Sequence, residues 1–161
     1  MGRKVLVVED EPHLREAVSE ALALEGFDVT QAASGDEAAG LIEDAHGFDL
    51  LLTDVQMPGL LDGMGVAARA RARQPGLPIV VATGRRGSQA GVDALQPRCA
   101  LVMKPYGLDM ILDAIGDVCG GRGRAEPGVS ARVAPSVNEH DPEPSNPVVH
   151  RRHRVWPAGR G

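Results

Sequence analysis

Three acids, one hydroxyl and one lysine stand where short apolar runs of this chain end. Glu9-Asp10 follows Val5-Leu6-Val7-Val8. Asp54 closes the run Leu50-Leu51-Leu52-Thr53 and leads into Val55-Gln56-Met57-Pro58-Gly59. Thr83-Gly84 follows Ile79-Val80-Val81-Ala82, and Lys104-Pro105 follows Ala100-Leu101-Val102-Met103. Three carboxylates gathered without a counter-charge would repel one another and raise each other's pKa. A divalent cation removes that conflict, and oxygen-only ligands with room for water suit Mg²⁺ better than Zn²⁺. A carboxylate in such a place can attack phosphorus and form an aspartyl-phosphate, splitting a transfer into two steps. The expected roles are then Asp54 as nucleophile, Glu9 and Asp10 as its metal partners, and Lys104 as a fixed positive charge for phosphoryl oxygens. Thr83 and Gly84 would offer the same oxygens a hydroxyl and an open backbone N–H.

Each residue has a plainer explanation when taken alone. Glu9 and Asp10 would suit the first turn of a helix, where the dipole favours acids. An acid after a strand, a threonine in a turn and an exposed lysine are all common. Their joint occurrence at four strand ends carries the argument, together with the sparing use of lysine, which occurs elsewhere only as Lys4.

The elements that must position these residues alternate along the chain. Val5–Val8 is a continuous β-branched-rich run, as in a strand buried on both faces of a parallel sheet. Pro12 can open a helix, and Leu14, Ala17, Val18, Ala21 and Leu22 then recur at helical spacing up to a stop at Gly26. A weaker strand spans Phe27–Ala32. Ser34-Gly35-Asp36-Glu37 is a capping box for a helix reaching about Ala45. Asp49–Thr53 is a third strand, Asp62–Arg73 a helix closed by Pro75, and Pro78–Ala82 a fourth strand. Ser88–Leu95 is weakly helical, Ala100–Met103 is a fifth strand, and Leu108, Ile111, Leu112, Ile115 and Val118 mark a final helix. Five βα units imply an α/β fold with a parallel sheet, right-handed crossovers and helices on both faces. Ligands in such sheets bind beyond the carboxyl ends of the strands, where every residue singled out above lies.

Charge and composition divide the chain. Residues 1–120 carry 10 Lys+Arg against 18 Asp+Glu, net −8, whereas residues 121–161 carry 7 Arg against 4 acids, net +3. An acidic body argues against nucleic-acid binding, which needs clustered cations. No apolar run has the length needed to span a bilayer, and Met1-Gly2-Arg3-Lys4 leads directly into a strand, so a cytoplasmic location is expected. Cys99 and Cys119 lack metal-ligand spacing and are expected as reduced thiols. The final segment holds six prolines and no Leu, Ile, Met or Phe. Such a sequence cannot bury enough apolar surface to offset its ordering entropy. The expected organisation is a folded domain over 1–119 and a disordered Pro/Arg-rich tail over 120–161, too poor in apolar periodicity for a DNA-binding output domain. Gly120-Gly121-Arg122-Gly123 follows a helix and is expected as a linker, and His150-Arg151-Arg152-His153 as the basic end of the tail.

Over about residues 3–119 the constellation resembles the receiver domain of two-component response regulators, of the single-domain type. The spacings are like those of that family, 29 residues from Asp54 to Thr83 and 21 from Thr83 to Lys104. The resemblance implies a flavodoxin-like doubly wound sheet of strand order 2-1-3-4-5. It matches Glu9 and Asp10 to the acid pair, Asp54 to the phosphoacceptor, Thr83 to the switch hydroxyl and Lys104 to the lysine of the Lys-Pro motif. It adds the backbone carbonyl of Gln56 as a Mg²⁺ ligand. It implies a sensor histidine kinase or histidine phosphotransfer protein as phosphodonor and an unnamed output protein. The chain would be an acceptor with slow self-dephosphorylation rather than an enzyme.

Two features depart from the family pattern. Leu101 stands where receivers usually carry Tyr or Phe, and its smaller side chain without a hydroxyl puts the usual threonine–aromatic coupling in question. The Arg85-Arg86 pair after Thr83 is then expected to respond to new anionic charge. The loop Met57–Gly63 is one residue longer than the commonest pattern, as in some stand-alone or kinase-fused receivers. Two other functions fit parts of the pattern. A phosphohydrolase of the haloacid dehalogenase type would need a second acid two residues after the nucleophile, where Gln56 stands. A receiver-like binding module that is never phosphorylated would not need the five-residue site.

Overall fold

The computed structural model describes residues 2–44 and 46–120. From residue 121 onward the expected tail, with its histidine–arginine cluster, lies outside the described residues. The elements alternate without exception: β1 (Lys4–Val8), α1 (Pro12–Leu24), β2 (Asp28–Ala32), α2 (Gly35–Asp44), β3 (Leu50–Asp54), α3 (Gly63–Arg73), β4 (Ile79–Thr83), α4 (Gln89–Ala94), β5 (Cys99–Met103) and α5 (Leu108–Cys119). All pairings are parallel and the strand order is β2-β1-β3-β4-β5. This is the flavodoxin-like order that the sequence resemblance implied.

Local chemistry accounts for the element ends. Pro12 is the first residue of α1, and the Glu11 carboxylate caps it by accepting from the N–H groups of His13 and Leu14. That duty at Glu11 leaves Glu9 and Asp10 free of helix capping. Gly26 ends the segment at φ +93°, a left-handed conformation that glycine adopts without steric cost. At α2 the Ser34 hydroxyl accepts from the Glu37 N–H at 3.1 Å, while the Glu37 carboxylate reaches back to the Ala33 N–H at 2.7 Å. The capping box is present, displaced by one residue on its return arm. α4 is short, in keeping with its weak sequence pattern.

The central strands β1, β3 and β4 are buried along nearly their whole length. Leu6, Val8, Leu51, Ile79 and Val81 join Ala38, Ile42, Val66, Ala67, Ala70 and Val92 from α2, α3 and α4 in one core cluster. Alternation along a strand sends Val5, Val7, Leu50, Leu52 and Val80 to the other face. α1 and α5 cover that face with Leu22, Ile111 and Ile115, all fully buried. Both cysteines are free, and burial pushes the Cys99 thiol up to about 11. Among the described residues no helix is long and apolar enough to cross a membrane.

Candidate functional site

Parallel register brings the carboxyl ends of β1, β3, β4 and β5 to one edge. Val8 is level with Thr53, Asp54 with Ala82, and Thr83 with Met103. Asp54 and Thr83 are the last residues of their strands, and Glu9 and Lys104 are the first residues beyond theirs. The backbone continues the pairing past the strand ends. Val55 N–H donates to the Ala82 carbonyl at 2.9 Å, and Lys104 N–H donates to the Thr83 carbonyl at 2.8 Å.

Glycine is needed at one point for this edge to close. A Cβ on Gly63 would lie 1.7 Å from the Asp54 carbonyl oxygen. Only glycine lets the first turn of α3 approach the strand end that carries Asp54. The Asp62 carboxylate caps that turn through the Gly65 N–H at 2.8 Å.

Side chains from distant parts of the chain meet here. The Lys104 ammonium donates to Glu9 Oε2 at 2.9 Å and to Asp54 Oδ2 at 3.0 Å. The other oxygens of the two acids are held by backbone: Glu11 N–H donates to Glu9 Oε1, and Gln56 N–H donates to Asp54 Oδ1, both at 3.2 Å. Glu9, Asp10 and Asp54 each offer a carboxylate oxygen within 4.8 Å of the others. Glu9 and Asp54 are each only 5% exposed, and Asp10 is the more open of the three.

Burial raises the Glu9 pKa, an effect that the hydrogen bond from Lys104 opposes without cancelling, and the nearby Asp54 charge adds to it. For Lys104 burial works downward, but the bonds to Glu9 and Asp54 outweigh it and raise its pKa. Two acids and one cation in a shielded crevice leave negative charge in excess. Three oxygen donors of this kind fit a hard divalent cation such as Mg²⁺ and offer no nitrogen or sulfur for a softer metal.

Thr83 is brought to the same edge and is fully buried. Its hydroxyl bonds lie within its own loop, to Arg85 and Ser88. Gln56 lies beside Asp54, and its side chain is exposed. Arg85, Arg86, Ser88, Pro58 and Asp62 line an open cleft of about 630 Å³ next to this edge. Leu101 is half-buried and packs against the core cluster.

Tyr106 is the site neighbour that the sequence reading missed. Its half-buried ring lines a small cavity with Val7, Val18, Leu52, Glu9 and Asp54. Burial raises its phenol pKa, with the Lys104 charge working against that. It is the only tyrosine of the chain and directly follows Lys104-Pro105, which was signal enough to find it.

A family model of the response regulator receiver domain matches residues 5–116. The response regulator protein FleR of Pseudomonas aeruginosa is 35% identical over 116 residues, covering 71% of this chain and 24% of FleR. The chain spans about a quarter of the length of the first curated relatives it matches. A response regulator receiver protein from Sinorhizobium medicae superposes with a TM-score of 0.69 at 26% identity, covering 75% of this chain and 97% of that one. The response regulator TrrA from Thermotoga maritima, solved in complex with Mg²⁺ and BeF, gives 0.64 at 26% identity, covering 72% and 98%.

Proposed function

This chain belongs to the response regulator receiver domain family, and from that premise we propose that Asp54 is its phosphoacceptor in a two-component phosphorelay. The observation that carries this reading is the convergence of Lys104 on Glu9 and Asp54, with the three carboxylates within reach of one cation. The proposed donor is a phosphohistidine on a sensor kinase or a histidine phosphotransfer protein. In the transfer an Asp54 carboxylate oxygen forms the new O–P bond, the P–N bond to the donor imidazole breaks, and the imidazole nitrogen keeps the electron pair.

Glu9, Asp10, Asp54 and the Gln56 carbonyl are the proposed Mg²⁺ ligands. When bound, that ion neutralises the carboxylates and the oxygens of the incoming phosphoryl group. Lys104 balances charge on the phosphoryl oxygens, and the Thr83 hydroxyl turns to one of them. Gln56 in place of a second acid favours acceptance over hydrolase chemistry, because an amide cannot protonate a leaving group. Onward signalling to an output protein belongs to this reading.

Intact-mass measurement after treatment with acetyl phosphate or a phosphorylated kinase tests it. Wild type should gain one phosphoryl group in the presence of Mg²⁺, and Asp54→Asn should gain none while keeping its melting curve. An equal gain in the variant would remove Asp54 from the role. A gain that ignores Mg²⁺ would remove Glu9 and Asp10.

A further inference from the structure

The hydroxyl of Thr83 is committed to the loop between β4 and α4. It accepts from the Arg85 N–H at 3.1 Å and from the Ser88 hydroxyl at 3.4 Å, and it donates to the Arg85 carbonyl at 3.4 Å. Thr83 has no exposed surface, so water has no access to replace a bond that is given up. Ser88 directly precedes α4, where a serine ordinarily caps the helix from an extended conformation. Here its backbone is helical, φ −76° and ψ −6°, and its side chain makes no capping bond. The hydroxyl is spent on Thr83 instead. Leu101 has no hydroxyl to compete for Thr83.

We infer that Ser88 is a positioning residue that holds the Thr83 hydroxyl turned into the β4–α4 loop until phosphate arrives at Asp54. The inference rests on the reading of Asp54 as phosphoacceptor. Both hydroxyl–oxygen contacts are longer than ordinary O–H···O bonds, so the hold is weak. An anionic phosphoryl oxygen offers Thr83 a bond roughly twice as strong as a neutral one, enough to draw the hydroxyl away. Ser88 therefore sets how strongly the resting arrangement resists phosphorylation, and it does so from the loop before α4 without touching the reacting atoms.

The test is the Mg²⁺-dependent affinity of the full chain for beryllofluoride, a phosphoryl mimic, measured by titration. Ser88→Ala should bind about two- to fivefold tighter, the range that loss of one weak net hydrogen bond allows. Ser88→Thr, which keeps the hydroxyl, should match wild type. In a Thr83→Ala background Ser88→Ala should have no further effect, since the two residues act through one bond. Unchanged or weaker binding by Ser88→Ala overturns the inference. So does the same tightening when Thr83 is already alanine, because Ser88 would then act elsewhere. Wild type that neither binds beryllofluoride nor gains phosphate removes the acceptor reading itself, whereas normal wild-type binding with a silent Ser88→Ala removes only the latch.

Discussion

At the carboxyl edge of the sheet, Lys104 faces two buried carboxylates; at the opposite edge, Arg71 and Arg98 hydrogen-bond to backbone carbonyls. Arg71 leaves α3 to donate to Leu77, Leu95 and Pro97, and Arg98 donates to Gly76 and Val118. Gln74 adds a two-way bond to the Phe48 backbone, donating at 2.8 Å and accepting at 3.3 Å. The lower cations bond carbonyls at the ends of α4 and α5, groups that helix ends leave without partners, and carbonyls of the loops that lead into β4 and β5. Arg98 holds φ +67° there, a conformation unfavourable for a side chain with a Cβ. Its guanidinium contacts offset that cost. The upper edge keeps acids crowded and short of counter-charge. Charge at one end closes the fold, while charge at the other stays in excess among three carboxylates.

Removing Lys104 should break the contrast most. Lys104→Met leaves Glu9 and Asp54 buried without their cation and should cost about 3 kcal/mol at neutral pH. The raised Lys104 pKa means that its contribution is complete below its unfolded value and is lost only as pH climbs through the folded one. The deficit of the variant should therefore be present throughout the neutral range and shrink in acid, as the carboxylates protonate. Added Mg²⁺ should recover part of it. Chemical denaturation across pH, with and without Mg²⁺, reads all three. A deficit that ignores both pH and Mg²⁺ would mean that Lys104 acts by packing alone.

Arg71→Met comes next, at about 2 kcal/mol, because the part-buried carbonyls of Leu77 and Leu95 lose their donor. Its loss should not vary between pH 5 and 8, and phosphate acceptance at Asp54 should be unchanged. Impaired acceptance would show that the two edges are coupled rather than separate in purpose.

The smallest change should have the opposite sign. Glu9 has a raised pKa in the fold, so its ionised form is disfavoured there and stability falls as pH rises from its unfolded value through the folded one. Glu9→Gln should thus be slightly more stable than wild type at neutral pH, with the advantage vanishing in acid, while Mg²⁺-dependent phosphate acceptance drops. A melting temperature below wild type at pH 7 would contradict the sign.

Much of the upper edge was legible beforehand because strand ends are local features. Leu50–Thr53 and Ile79–Ala82 announce strands through composition, and Asp54 and Thr83 follow from where those runs stop. In a parallel sheet with right-handed crossovers all carboxyl ends fall on one side. Residues far apart in the chain are then gathered without any knowledge of distances. The lower edge was not legible. Arg71 sits in an exposed-looking helical run, Ala70-Arg71-Ala72-Arg73, and nothing in that spacing distinguishes it from Arg69 or Arg73.

The sequence by itself determined the order of elements, the residue types at the strand ends and the excess of acid over base among them. Those depend on periodicity and caps, which act within a few residues. Only the tertiary structure decided that Lys104 bonds two acids 95 and 50 positions away, and that Tyr106 walls the same crevice. It likewise decided that Thr83 turns its hydroxyl to Ser88 and that Arg71 closes the base. Those choices depend on register, rotamers and competition among partners a few ångströms apart, which exist only once the sheet is assembled.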